Sequence, residues 1–124
     1  MVNLLGDNKD NMKTIIAGSR SFNDYELLFA ILDNLDWNIT EIVSGGCYGA
    51  DLLGERWATS QNIPIKRFIP DWNKHSRAAG PIRNKQMAEY AEALVAFWNI
   101  ESKGTKNMIE TARKLGLKIK IVKI

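Results

Sequence analysis

The stretch SGGCYGAD, residues 44–51, lies between the apolar run EIV (41–43) and the helical run LLGERWA (52–58). A strand, a glycine turn and a helix in direct succession form the repeating unit of α/β proteins. Such a turn brings backbone N–H groups and a helix N-terminus to the end of a strand, where they attract an anion. This one lacks the lysine that a P-loop uses, so by itself it leaves both ligand and chemistry open.

The same alternation runs from Lys13 to the C-terminus. TIIA (14–17) reads as a buried strand that ends at Gly18. Asn23 and Glu26 have the spacing of a capping box, and Tyr25, Leu28, Phe29, Leu32 and Leu35 then give a helix one apolar face. Glu41–Val43 is the second strand. In the helix after it, Ala50, Leu53, Gly54, Trp57 and Ala58 form one stripe, with Gly54 letting the helix approach the sheet. Pro64–Ile69 is the third strand, and the long connection PDWNKHSRAAG (70–80) leads to Pro81 as the first residue of a helix. ALVAFW (93–98) is apolar enough to be a strand buried on both faces. A last helix carries Met108, Ile109, Ala112 and Leu115 and stops at Gly116, before the strand KIKIVK (118–123).

Two strands look like sheet edges. KIKIVK alternates lysine with aliphatics, and the third strand starts at Pro64 and carries Lys66 and Arg67. With right-handed crossovers, the order that exposes the third and fifth strands and buries the others is 3-2-1-4-5. The expected fold is therefore a Rossmann-like three-layer α/β/α sandwich on a five-stranded parallel sheet. Residues 13–124 are expected to form a single domain after a flexible segment, 1–12.

Composition narrows the function. With 124 residues, 45% of them hydrophobic, the chain can bury one core without staples. Cys47 is the sole cysteine, which excludes an intrachain disulfide framework, makes zinc improbable and suits a reducing, cytoplasmic setting. No apolar run approaches the roughly 18 residues of a membrane span, and no signal peptide is expected. A net charge of +3 permits an anionic ligand without marking a nucleic-acid binder.

In the order 3-2-1-4-5 the topological switch point lies between the first and fourth strands, where ligands bind in such sheets. The loops there are GSRSF (18–22) and NIESKGT (99–105), with SGGCYGAD beside them. Each has small residues and leads towards a helix N-terminus, and together they offer Ser19, Ser44, Ser102 and Thr105 as donors. Three converging loops imply phosphate or a nucleotide that carries it. Arg83, in AAGPIRNKQM (78–87), falls near the third position of the helix opened by Gly80 and Pro81 and is placed to bind phosphate in bidentate fashion. Arg20 is a more exposed candidate of the same kind.

These segments resemble the YspA-like branch of the SLOG superfamily, whose members include DNA-processing protein A and the Lonely Guy phosphoribohydrolases. SGGCYGAD resembles the SGxAxGxD turn of the former, and Arg83 with Asn84 resembles its RNR segment. Arg83 to Met87 also resembles the RKxxM segment of the latter. The resemblance implies a Rossmann-like domain that binds nucleotides or nucleotide-derived ligands. It implies Ser44, Gly45, Gly49, Asp51, Arg83, Gly104 and Thr105 as site positions, beside Gly18, Ser19, Arg20, Gly46, Asn84 and Ser102 from the loops. In the Lonely Guy motif PGGxGTxxE the glutamate is catalytic, and alignment on Gly104 and Thr105 places Met108 there. Glu110 is two residues on, about 200° around the helix. Asp51 and Glu101 are the remaining carboxylates, and Asp51 is expected to cap or brace its loop.

Cys47 reads as a small residue in a tight turn, His75 as a loop residue without a triad, and Trp72 and Trp98 as stacking candidates or packing. The expected function is binding of a nucleotide or nucleotide-derived ligand, with no metal and no further cofactor. The alternatives are an N-glycosidase with a rearranged carboxylate and, less favoured, single-stranded DNA binding. A homo-oligomer paired through helices is a further expectation.

Overall fold

The computed structural model of the protein describes residues 9–124. Its strands are β1 (Asn11–Gly18), β2 (Asn38–Ser44), β3 (Ile65–Arg67), β4 (Ala93–Trp98) and β5 (Lys118–Lys123). All neighbours pair in parallel, in the order β3-β2-β1-β4-β5 that the edge pattern predicts. The helices are α1 (Tyr25–Asp33), α2 (Ala50–Ser60), the single turn α3 (Trp72–His75), α4 (Ala79–Tyr90) and α5 (Lys103–Lys114), with a 3₁₀ turn over Ser76–Ala78.

Because successive strand residues face opposite sides, Ile15 and Ile16 enter two different cores. Ile16, Ile42, Val95 and Phe97 pack with Leu28, Leu32, Trp57 and Ala58 of α1 and α2. Ile15, Val43, Leu94 and Ala96 pack with Met87, Met108, Ile109 and Ala112 of α4 and α5. Two layers of helices thus enclose the sheet, and β4, the continuous apolar run, is buried from Ala93 through Phe97. A Cβ on Gly54 would stand 2.8 Å from the side chain of Ile16, so the absence of a side chain sets how closely α2 lies on β1. The α5 C-terminus closes as expected: Gly116 N–H donates to Arg113 O and Leu117 N–H to Ala112 O, the paired bonds of a Schellman motif.

Several boundaries differ from the sequence reading. Asn11 and Met12, placed in the flexible segment, belong to β1, because they pair with Asn38 and Ile39 at the start of a longer β2. Residues 1–8 of that segment lie outside the described residues. β3 is shorter than Pro64–Ile69, and its flanks pair only singly, through Pro64 O and Phe68 N–H. Pro81 is the third residue of α4 rather than the first, a position whose N–H also lacks an intrahelical acceptor, so helix can form ahead of it. Arg83 accordingly sits fifth.

The cap of α1 is Asp24, not Asn23. The Asp24 carboxylate accepts from Leu27 N–H at 3.0 Å, which leaves Glu26 in the first turn with no capping-box role. Asp24→Ala is expected to cost about 1 kcal/mol in urea unfolding, and Asn23→Ala less than about 0.5 kcal/mol. The opposite ranking would restore the cap to Asn23.

Candidate functional site

At the C-terminal edge of the sheet, where β1 and β4 lead their chains to opposite sides, lies a cavity of about 550 Å³. The segment after β1 supplies Gly18, Ser19, Arg20 and Ser21. The turn before α2 and its first residues supply Cys47 and Asp51, and α4 supplies Asn84 and Met87. The connection into α5 supplies Asn99, Glu101, Ser102, Gly104 and Thr105, with buried Met108 behind them. The switch point inferred from strand order is thus the place where the loops meet. Five candidates, Ser44, Gly45, Gly46, Gly49 and Arg83, do not line the cavity; they hold the wall that does.

Ser44 is fully buried, donating to Glu55 Oε2 at 2.7 Å and accepting from Gly46 N–H at 3.1 Å. With both functions of its hydroxyl engaged, it is a brace for the turn rather than a ligand donor. Glu55 also pairs with Arg67 of β3, whose Nε lies 3.0 Å from both carboxylate oxygens. That pairing raises the Arg67 pKa, by hydrogen bond first and charge second. The sequence reading passed over Glu55; the available signal was its place four residues after Asp51, beside the apolar stripe of α2.

Gly49 is where the first two loops touch. Its φ of +81° is unfavourable for any residue with a side chain, and a Cβ there would collide with the carbonyl oxygen of Ser19 and stand 2.7 Å from that of Arg20.

Arg83 is committed to the backbone. Its Nη1 donates to Gly45 O at 2.8 Å and Phe68 O at 3.4 Å, and its Nε donates to Asn84 Oδ1 at 3.0 Å. Nε and Nη1 thereby tie α4 to the ends of β2 and β3, and among the described residues Nη2 is the one guanidinium nitrogen without a protein partner. Asn84, in the cavity wall, has its amide nitrogen engaged by protein, donating to Asn107 Oδ1 at 2.9 Å and Gly104 O at 3.4 Å.

Asp51 combines both roles. Its Oδ2 accepts from Cys47 N–H at 3.2 Å, the expected brace, while the residue is part of the cavity wall at only 7% exposure. Burial pushes its pKa up from 3.8 to about 6. Hydrogen bonding from Cys47 and Gly45 and the charge of Arg83 pull the other way, and Glu55 adds to the rise. Desolvation outweighs two backbone hydrogen bonds and a nearby guanidinium together.

The α5 side of the cavity is richer in donors. Ser102 caps the helix, accepting from Thr105 N–H at 3.4 Å, and its hydroxyl shares a hydrogen with that of Thr105 at 2.8 Å. One hydroxyl hydrogen of this pair stays free, as do the N–H groups of Lys103 and Gly104, which have no intrahelical acceptor. Ser19 Oγ accepts from Asn99 N–H at 3.3 Å and retains its own hydrogen to donate. Trp98 Nε1 donates to Ser102 O at 3.3 Å and so orients this turn. Trp72, His75 and Glu110 do not line the cavity, and among the described residues no group of three or more His, Cys, Asp or Glu is arranged to hold a metal ion. No helix among the described residues is long and apolar enough to cross a membrane.

Known proteins resemble this chain in fold and in sequence. The X-ray structure of DNA processing protein A from Streptococcus pneumoniae superposes with a TM-score of 0.68 at 19% identity, over 88% of this chain and 49% of that one. The chain thus spans about half the length of that protein, and the likeness is one of fold. The Gene 61 protein of Mycobacterium phage D29 is 30% identical over 116 residues, covering 86% of this chain and 93% of the phage protein. A model of the YspA, cpYpsA-related SLOG family matches residues 12–75, a stretch that includes both GSRSF and SGGCYGAD. On these matches the chain belongs to the YspA, cpYpsA-related SLOG family.

Proposed function

We propose that the cavity at the β1–β4 switch point binds a nucleotide or a nucleotide-derived ligand. The observation that carries this reading is the convergence of three strand-to-helix connections and α4 on one concavity of about 550 Å³, a size suited to a small molecule. The first turn of α5, with Ser102 and Thr105, suits a phosphate, and the apolar Met87 and Met108 suit the less polar part of a nucleoside.

Cys47 makes the test direct, since it is the sole cysteine of the chain and lines the cavity. A ligand seated there is expected to slow alkylation of Cys47 by iodoacetamide several-fold and to raise the melting temperature in the same titration. Ligand at about 100 times its Kd should add about 2.7 kcal/mol of stability. If a panel of nucleotides, cyclic dinucleotides and ADP-ribose derivatives changes neither measurement, the reading is wrong.

A second reading rests on Asp51. A carboxyl with a pKa of about 6 in a cavity wall is suited to general acid work, and it would serve an N-glycosidase in which Met108 occupies the usual glutamate position. Release of free base from a nucleoside monophosphate, abolished in Asp51→Asn, would favour this hydrolase over simple binding.

A further inference from the structure

The charges of the cavity are poorly matched to a polyphosphate. Among the described residues its lining holds one cation, Arg20, against two carboxylates, Asp51 and Glu101. Arg83, the cation nearest to Asp51 in the wall, points its guanidinium at the carbonyls of Gly45 and Phe68. On the reading that the cavity holds a nucleotide, we propose that Asp51 makes it select a ligand with one phosphate over the same ligand with two or three.

One phosphate finds what it needs. The free N–H groups at the start of α5, the Ser102–Thr105 hydroxyl pair, the Ser19 hydroxyl and Arg20 are sufficient to bind a single dianion. Each added phosphate brings charge into a concavity where the donors are already used. The wall reached next from α2 is a carboxylate shielded from water, so repulsion there is weakly screened. One Asp51 oxygen accepts from Cys47 N–H at 3.2 Å and lies against Gly45, which anchors the carboxylate in the turn beside the cavity.

The state of Asp51 is set by groups on several elements. Arg83 faces it from α4, Glu55 from its own helix, and the Cys47 and Gly45 N–H groups from the turn. Arg20 and Glu101 share its cavity from the connections after β1 and β4. With burial dominant, Asp51 is ionised above about pH 6 and neutral well below it. The discrimination against added phosphates should therefore strengthen as pH rises through that value.

Calorimetric titration of the full chain with the mono-, di- and triphosphates of adenosine and guanosine, in the presence of a chelator, tests this. At about pH 8 a monophosphate is expected to bind at least about tenfold more tightly than its triphosphate, and at about pH 5 the ratio should shrink several-fold. Because nucleotide phosphates titrate in the same window, the variant carries the comparison. In Asp51→Asn the ratio at about pH 8 should fall several-fold below that of the wild type at the same pH, and it should no longer differ from the wild type at about pH 5. A triphosphate that binds as tightly as its monophosphate at the higher pH, or a variant that keeps the wild-type ratio, overturns the inference and leaves nucleotide binding standing. Binding of none of the six overturns the inference, and the Cys47 protection panel then decides the nucleotide reading separately.

Discussion

Asp51→Asn should make the folded chain more stable at neutral pH, by about 2 to 3 kcal/mol, and leave it unchanged in acid. The sign follows from the direction of the shift. Asp51 titrates near 3.8 when unfolded and near 6 when folded, so between these values the folded state holds the extra proton. Stability is then at its full value below pH 3.8, declines as pH rises to about 6, and is flat beyond. Asparagine stays neutral throughout and can still accept from Cys47 N–H, so it keeps the brace and omits the ionisation. Urea unfolding of wild type and variant at a series of pH values measures the gap directly. A variant less stable at pH 8 would show that the Arg83 charge outweighs burial. A residue that costs the fold stability at working pH belongs to function more readily than to architecture.

Gly49→Ala is expected to act in the opposite direction and at every pH, with a loss of about 3 kcal/mol. The added Cβ must both occupy a φ of +81° and displace backbone oxygens of Ser19 and Arg20, neither of which can rotate away as a side chain would. The drop in urea midpoint should come with an unchanged dependence on denaturant, since the folded core is not opened. Nucleotide binding should weaken as well, because Ser19 and Arg20 are cavity residues that Gly49 positions. A variant that loses less than about 0.5 kcal/mol would mean that the two loops are free to part.

What the sequence disclosed about the fold came from positions where one cause dominates. The lysines of β5 and Pro64 before β3 announce edges because an unpaired backbone must be protected, and the remaining order follows from handedness. Boundaries were less legible. Asn23 and Asp24 are both competent caps, and the difference between them is one residue of helix phase that only packing against the sheet decides. The short α3 turn and the early start of α4 were hidden by Pro81, a residue tolerated anywhere in a first turn.

The site was legible as a location more than as a set of roles. Glycine turns after β1, β2 and β4 had to meet at the switch point, and they do. Whether a polar side chain in such a turn faces ligand or protein depends on partners far away in the chain. Ser44 is consumed by Glu55, eleven residues on, and Arg83 by carbonyls 38 and 15 residues earlier. Backbone carbonyls carry no sequence pattern at all, and Glu55 was marked only by its place beside the apolar stripe of α2. Asp51 was read as a brace and is one, but its place in the cavity wall depends on how deeply the turn is buried, which no spacing reports.

The sheet separates two hydrophobic cores, and the cavity is bounded by α2 from one layer and by α4 and α5 from the other. An occupant would therefore act as a rivet through the edge of the sheet, adding to the link that Arg83 of α4 already makes to the turn before α2. Amide exchange at the first turns of α2 and α5 should slow together on ligand addition, as one cooperative event reported from both sides of the molecule.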